Sequence, residues 1–241
     1  MNMEKNAVEY KGVKKSYGRK TVLKGVELTV SQGEFFGLVG ANGAGKTTMI
    51  KSLLDFISVD EGEISLFGQS NLKPKSRAVL AFLPERFVPP YFLKGEGFLR
   101  YIARLHGQKY DDSKARALCD ALDLDSQALG QSVRRYSKGM AQKLGLAGCF
   151  ISQRPLLLLD EPMSGLDPKA RIFLKNHLEN LKNEGQSLFF STHMLSDVET
   201  ICDRMAILHE GVIQFIGTPQ ACCDKYNKAT LEEAYLACIS G

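Results

Sequence analysis

The apolar positions of this chain change period from one segment to the next, and each change marks an element. Between Val8 and Val30, short β-like pieces are separated by Gly12, Gly18 and Gly25. Phe35-Phe36-Gly37-Leu38-Val39 is apolar, as a buried strand is. Thr47 to Leu54 then places its apolar residues at helical spacing. Glu63 to Gly68 alternates like a half-buried strand, and Ala78 to Leu83 is a further strand stopped by Pro84. From about Glu85 to Ser152 the period is mostly helical, as in Gly97 to His106, Lys114 to Leu124 and Ala141 to Phe150.

After that block, strand and helix alternate. Leu156 to Asp160 reads as a strand, Pro168 to Glu184 as a helix, Ser187 to Ser191 as a strand and Leu195 to Cys202 as a helix. Met205 to Leu208 and Val212 to Ile216 are strands about a His209-Glu210-Gly211 turn. Such alternation predicts an α/β fold, a parallel sheet covered by helices, and the helical block reads as an inserted subdomain. The chain shows no internal repeat, second phosphate loop or low-complexity linker.

Composition narrows the function classes. A length of 241 residues suits one large domain or a domain with a subdomain, and 44% apolar residues support a real core. The net charge of +4 comes without a dense basic run, so nucleic acid is not implied. A face near anionic lipid is compatible with that charge but not required by it. No apolar segment approaches the roughly 18–20 residues that cross a bilayer. The stretch Met1 to Glu9 lacks the apolar core of a signal peptide, so a cytoplasmic location is expected. Cys119, Cys149, Cys202, Cys222, Cys223 and Cys238 form no CxxC pair and no zinc-like spacing with histidine. They are expected to be thiols, several of them in the core.

The chemistry concentrates in five places. Gly40-Ala41-Asn42-Gly43-Ala44-Gly45-Lys46-Thr47-Thr48 follows the phosphate-loop pattern between a strand and a helix, which predicts a nucleoside triphosphate with magnesium. Its glycines let backbone N–H groups face the phosphates, Lys46 reaches the β- and γ-phosphates, and the Thr47 hydroxyl coordinates the metal. Asp160 and Glu161 close an apolar strand. Alone they read as an ordinary polar strand end; beside a phosphate loop, Asp160 is placed to hold Mg²⁺ and Glu161 to take a proton from the attacking water. Ser137 and Gly139, in Tyr136-Ser137-Lys138-Gly139-Met140, stand at a helix start that is also an anion site, with the phosphate it meets left open. His193 follows a strand of the same sheet, within reach of the γ-phosphate or the attacking water. Tyr17 either stacks on a purine base or packs a turn.

In that order, these pieces resemble the ATP-binding subunits of ABC transporters along nearly the whole chain. Gly40 to Thr48 looks like the family's Walker A, Tyr136 to Met140 like its signature, and Leu156 to Pro162 like Walker B with the catalytic glutamate. Ser164-Gly165-Leu166-Asp167 looks like the D-loop, Ser191-Thr192-His193 like the switch histidine, and Tyr17 occupies the adenine-stacking position. The resemblance implies a P-loop NTPase of ABC type with a mainly parallel sheet, an N-terminal antiparallel β subdomain and the inserted helical subdomain. The implied boundaries are a single domain over 6–241: core and β subdomain over about 6–84 and 153–228, the helical signature subdomain over about 85–152, and a short C-terminal helix over 229–241. Glu85 stands where members often carry a glutamine, as a coupling residue that can still bind a magnesium water. Lys138 and Met140 replace the usual Gly and Gln of the signature. These variants and Thr230 to Leu236 resemble the single-cassette ATPases of bacterial exporters.

By that resemblance, ATP and Mg²⁺ are the ligands, and Glu161 and His193 the catalytic residues. Tyr17, Gly40, Asn42, Gly43, Ala44, Gly45, Lys46, Thr47 and Thr48 bind the nucleotide. Thr47, Asp160 and Glu85 hold the metal. Ser137, Lys138 and Gly139 meet the ATP of a partner cassette, identical or different, and Asp167 belongs to the D-loop. Integral membrane permease subunits are the further partners, with contact expected over Glu85 to Arg104, which would place the chain on the inner face of the cell membrane. Nucleic acid is not among the partners. The competing classes are a soluble ABC ATPase not coupled to transport and a regulatory nucleotide-binding module; intact Lys46, Asp160, Glu161 and His193 argue against the second.

Overall fold

Gly18 and Arg19 turn the chain between β1 (Asn6–Tyr17) and β2 (Lys20–Ser31), two long antiparallel strands. The sequence reading split this stretch into pieces at Gly12 and Gly25. In the computed structural model, which describes residues 6–240, the strands run through both glycines by way of bulges. Residues 1–5, part of the N-terminal stretch considered for an export signal, lie outside the described residues, as does residue 241.

The remaining elements follow in chain order. They are β3 (Phe35–Val39), α1 (Lys46–Leu53), β4 (Glu61–Leu66), β5 (Gln69–Ser70), α2 (Pro74–Arg77), β6 (Leu80–Leu83), α3 (Gly95–Leu105), α4 (Asp112–Ala121) and α5 (Lys138–Ile151). Then come β7 (Leu156–Asp160), α6 (Pro168–Asn183), β8 (Ser187–Thr192), α7 (Leu195–Ile201), β9 (Arg204–His209), β10 (Val212–Gly217), α8 (Pro219–Tyr226) and α9 (Leu231–Ser240). The chain divides into two compact units, one of the residues up to Val79 with those from Gly185 on, the other Leu80–Glu184.

The first unit holds two sheets. The antiparallel one runs β2-β1-β4-β5. In the other, β3 lies between β8 and β9, parallel to both, and β10 pairs antiparallel to β9 at the edge. Every residue of β3 and β8 is buried, which explains the apolar run of β3 and the Leu188-Phe189-Phe190 centre of β8. Tyr10 ties the layers together: its ring is fully buried, and its hydroxyl donates to Met49 O of α1 at 3.0 Å. The sequence reading gave one short C-terminal helix; the structure has α8 as well. Thr218 caps α8, its hydroxyl accepting from Ala221 N at 3.0 Å, Pro219 opens it, and Asn227 ends it in the left-handed region.

In the second unit β6 and β7 pair in parallel, Leu83 beside Leu159. Leu156 to Leu159 are all buried. Helices α3 and α4 each pack on α5, whose Leu144, Leu146 and Ala147 are fully enclosed. No described helix of either unit is long and apolar enough to cross a membrane. All six cysteines are free thiols, five of them buried.

Candidate functional site

The phosphate loop begins where β3 runs out. A Cβ at Gly40 would stand 2.5 Å from Leu208 O, so no side chain fits there. Gly45, with φ of 118°, supplies the left-handed turn that starts α1. Lys46 follows as the first helical residue, only 7% exposed, with its ammonium turned back along the loop. It donates to Gly40 O at 2.6 Å and approaches Ala41 O at 3.5 Å. Asn42, Gly43 and Thr47 are exposed, Ala44 and Gly45 buried, and Thr48 half-buried. The first turn of α1 carries no acidic residue. The first-turn N–H groups of α1 and the positive end of its dipole therefore face the loop together with the Lys46 ammonium, the arrangement that accepts phosphate.

Two further residues of this unit belong to the reading. β8 runs beside β3 with Thr192 opposite Val39, so the exposed His193 leaves the sheet alongside Gly40. The Thr192 hydroxyl accepts from Met194 N at 3.0 Å and fixes the turn that presents it. Tyr17 ends β1 with its ring 49% exposed and the Lys15 ammonium 5.6 Å from the ring centroid. An exposed aromatic face at a strand end is suited to stacking.

In the second unit, the buried β7 delivers Asp160 and Glu161 at its end, 4% and 9% exposed. Glu161 has φ of 49°, a left-handed conformation that costs a non-glycine residue about 1 kcal/mol or more and is found at functional turns. Its carbonyl accepts from Ser164 N at 3.0 Å, closing the turn into the D-loop. Glu85 and Glu161 each lie two residues past the register pair Leu83 and Leu159, at the same end of adjacent strands. Glu85 is exposed.

Ser137 is the N-cap of α5, its hydroxyl accepting from Met140 N at 3.2 Å. The sequence reading placed this cap at the helix start and gave the helical run as Ala141 to Phe150; the helix spans Lys138–Ile151. Asp167 caps α6 in the same way, accepting from Ala170 N at 2.9 Å. That N–H, helped by the charge of Lys143, holds the Asp167 carboxyl below the usual carboxylate range. The two caps are neighbours: a Cβ at Gly139 would stand 3.1 Å from Gly165 O, and the Lys138 stem lies across Gly165. The signature and D-loop thus form one surface within this unit.

Three polar residues that the sequence reading passed over support that surface. Gln142, nearly fully buried, donates through Nε2 to Pro162 O at 3.3 Å. Lys143 donates to Asp123 O at 2.7 Å and to Asp123 Oδ2 at 3.0 Å. The available signal was two long polar side chains just ahead of the apolar run Leu144 to Phe150. Among the described residues, no three His, Cys, Asp or Glu side chains gather into a metal cage.

Comparison with known proteins accords with these features. A family model described as ABC transporter matches residues 23–164. An uncharacterised ABC transporter ATP-binding protein of Synechocystis, sll0415, is 40% identical over 81% of this chain and 56% of its own length. The chain thus spans little more than half of that relative. Nod factor export ATP-binding protein I of Bradyrhizobium diazoefficiens is 34% identical over 98% of this chain and 78% of its own. A solved ATP-binding subunit of an ABC transporter superposes with a TM-score of 0.89 at 32% identity, over 96% of this chain and 99% of that one. The phosphate loop, the acidic end of β7 and the capped signature helix thus lie in a chain that belongs to the ABC transporter family.

Proposed function

We propose that the chain is the ATP-binding and ATP-hydrolysing motor subunit of an ABC transporter, coupling cassette dimerisation to export through separate membrane subunits. The observation that carries the reading is the buried Lys46 ammonium at the start of α1, held within the phosphate loop. Asn42, Gly43, Ala44, Gly45, Thr47 and Thr48 offer backbone and hydroxyl groups to the phosphates, Gly40 forms the loop's base, and Tyr17 offers its ring to the base. Thr47 and Asp160, with Glu85 through water, are hard oxygen donors of the kind magnesium takes, and the metal neutralises phosphate charge when bound.

Glu161 takes the proton of the attacking water, and His193 steadies that water and the γ-phosphate. Ser137, Lys138 and Gly139 face the nucleotide of a second cassette, identical or different, and Asp167 sits beside them. Nucleotide held by two cassettes favours the closed pair, and loss of the γ-phosphate releases it. The membrane subunits meet the face over Glu85 to Arg104, where Val88, Tyr91 and Phe92 are exposed, and keep the chain on the inner side of the membrane. Export rests on likeness to the Nod factor export ATP-binding protein I of Bradyrhizobium diazoefficiens.

The test is phosphate release by the purified chain with and without magnesium, joined to fractionation with and without a co-expressed polytopic partner. Magnesium-dependent release and partner-dependent membrane binding are expected. Absence of release would sink the motor role, and partner-independent behaviour would sink the coupling.

A further inference from the structure

Lys143 is a charged residue within the buried stretch of α5. It lies on α5 just past the signature turn, 7% exposed, followed by seven residues that are all buried. Burying an ammonium is costly unless every proton finds an acceptor. Its Nζ donates to Asp123 O and Asp123 Oδ2, at 2.7 Å and 3.0 Å, and lies 3.8 Å from Asp167 Oδ2. The last distance is an ion pair rather than a hydrogen bond.

The two carboxylates belong to different elements. Asp123 follows α4 in the left-handed region, with φ of 56°. Its other oxygen accepts from Lys169 Nζ of α6 at 2.6 Å. Asp167 is the cap of α6. A single buried ammonium therefore spans the end of α4, the signature helix and the D-loop. The contact of Gly139 with Gly165 sits at the outer end of that junction.

We infer that Lys143 is a positioning residue that fixes the spacing between the signature helix and the D-loop, so that Ser137, Gly139 and Asp167 meet a partner's nucleotide as one rigid surface. The inference rests on the proposed cassette dimer. Lys143 itself touches no nucleotide in this account; it acts through Asp123 and Asp167. Without it, α5 and the D-loop keep their own caps, at Ser137 and Asp167, but lose their common anchor. The cost falls on assembly of the pair, since the phosphate loop lies in the other unit.

The test uses the Glu161→Gln chain, in which ATP-driven dimers accumulate, and titrates ATP against dimer fraction by light scattering. Adding Lys143→Met is expected to raise the ATP concentration for half-dimerisation by about fivefold, at the lower end of coupling between sites. ATP binding by the single chain stays unchanged, and Lys143→Arg restores the midpoint. In the Glu161 background, Lys143→Met is expected to raise KM more than it lowers kcat. Asp123→Asn gives a smaller shift in the same direction and serves as the test if Lys143→Met does not fold. Equal midpoints for Glu161→Gln with and without these changes overturn the inference alone. Failure of Glu161→Gln itself to dimerise overturns the cassette-pair reading and the inference with it.

Discussion

Val39 and Thr192 are register partners at the ends of β3 and β8, so Gly40 and His193 are the first residues past the sheet on adjacent strands. This adjacency puts an exposed imidazole beside the base of the phosphate loop. His193→Ala is expected to lower turnover by about a hundredfold, the lower range for losing a positioned proton-handling group. Nucleotide affinity should change little, because Lys46 and the loop amides remain. Steady-state turnover set against equilibrium ATP binding checks it; unchanged turnover would remove His193 from the chemistry.

Lys46→Ala removes the one buried cation of the loop. Charge-assisted bonds to phosphate of about 1.5–3 kcal/mol translate into an affinity loss of roughly 10- to 100-fold. Calorimetric titration with ATP reads this directly, and wild-type affinity in the variant would overturn the assignment.

Glu161 carries two separable properties, a carboxylate and a left-handed backbone. Glu161→Gln keeps the shape and loses the base, so turnover should fall by about a hundredfold or more while an ATP-bound dimer accumulates. Glu161→Gly also loses the base but relieves the backbone, and should raise the melting temperature by about 2–4 °C. Thermal melts and phosphate release on the same two proteins separate strain from chemistry. A Glu161→Gly chain that melts lower than the wild type would count against the strain.

Glu85 and Glu161 emerge side by side from β6 and β7. On the proposed reading, the exposed Glu85 carboxylate adds negative charge to the set of groups that serves the phosphates and their metal. Glu85→Gln is therefore expected to lower KM for ATP by about two- to fivefold, the size of a partly screened charge interaction. The difference should shrink as salt rises. A KM that rises instead would assign Glu85 a net attractive role through the metal.

His177 and His106 both titrate below the ordinary histidine range, each first because of burial. The charge of Arg154 adds to the effect at His106, while Glu184 opposes it at His177. Their folded forms bind a proton less readily than the unfolded chain does. Stability is thus full above the ordinary histidine value near 6.5 and falls as pH drops through it. His177 Nε2 is buried without a hydrogen-bond partner, and its ring lies 4.5 Å from that of Phe150. His177→Phe should flatten the loss of melting temperature between about pH 7 and pH 5. An unchanged slope would exclude His177 as a contributor.

Much of this was readable from residue order. Buried β3, β7 and β8 announce themselves through the apolar runs Phe35 to Val39, Leu156 to Leu159 and Leu188 to Phe190, since both faces of these strands are covered. The phosphate loop was legible since its glycines have steric jobs that nothing else can do. β1 and β2 were less so: Gly12 and Gly25 look like breaks but are bulges, a distinction decided by the partner strand. Helix α8 was passed over although Thr218-Pro219 and Asn227 mark both its ends. Lys143 could not be read at all, because its partners Asp123 and Asp167 lie far from it in sequence on either side. The strain at Glu161 is likewise invisible in sequence, since its backbone angle follows from how the chain leaves β7.

The hydrogen bond from Lys46 to Gly40 O makes the phosphate loop its own first ligand. An arriving anion does not meet a loose cation; it must outbid a carbonyl already seated 2.6 Å from the ammonium. Binding becomes an exchange of acceptors, and only a multiply charged oxyanion that also fills the loop's amides gains enough to win it. Weakly basic monovalent anions are expected to bind the loop poorly. The same carbonyl stands ready to take the ammonium back once an anion leaves, so the empty loop needs no refolding to bind again.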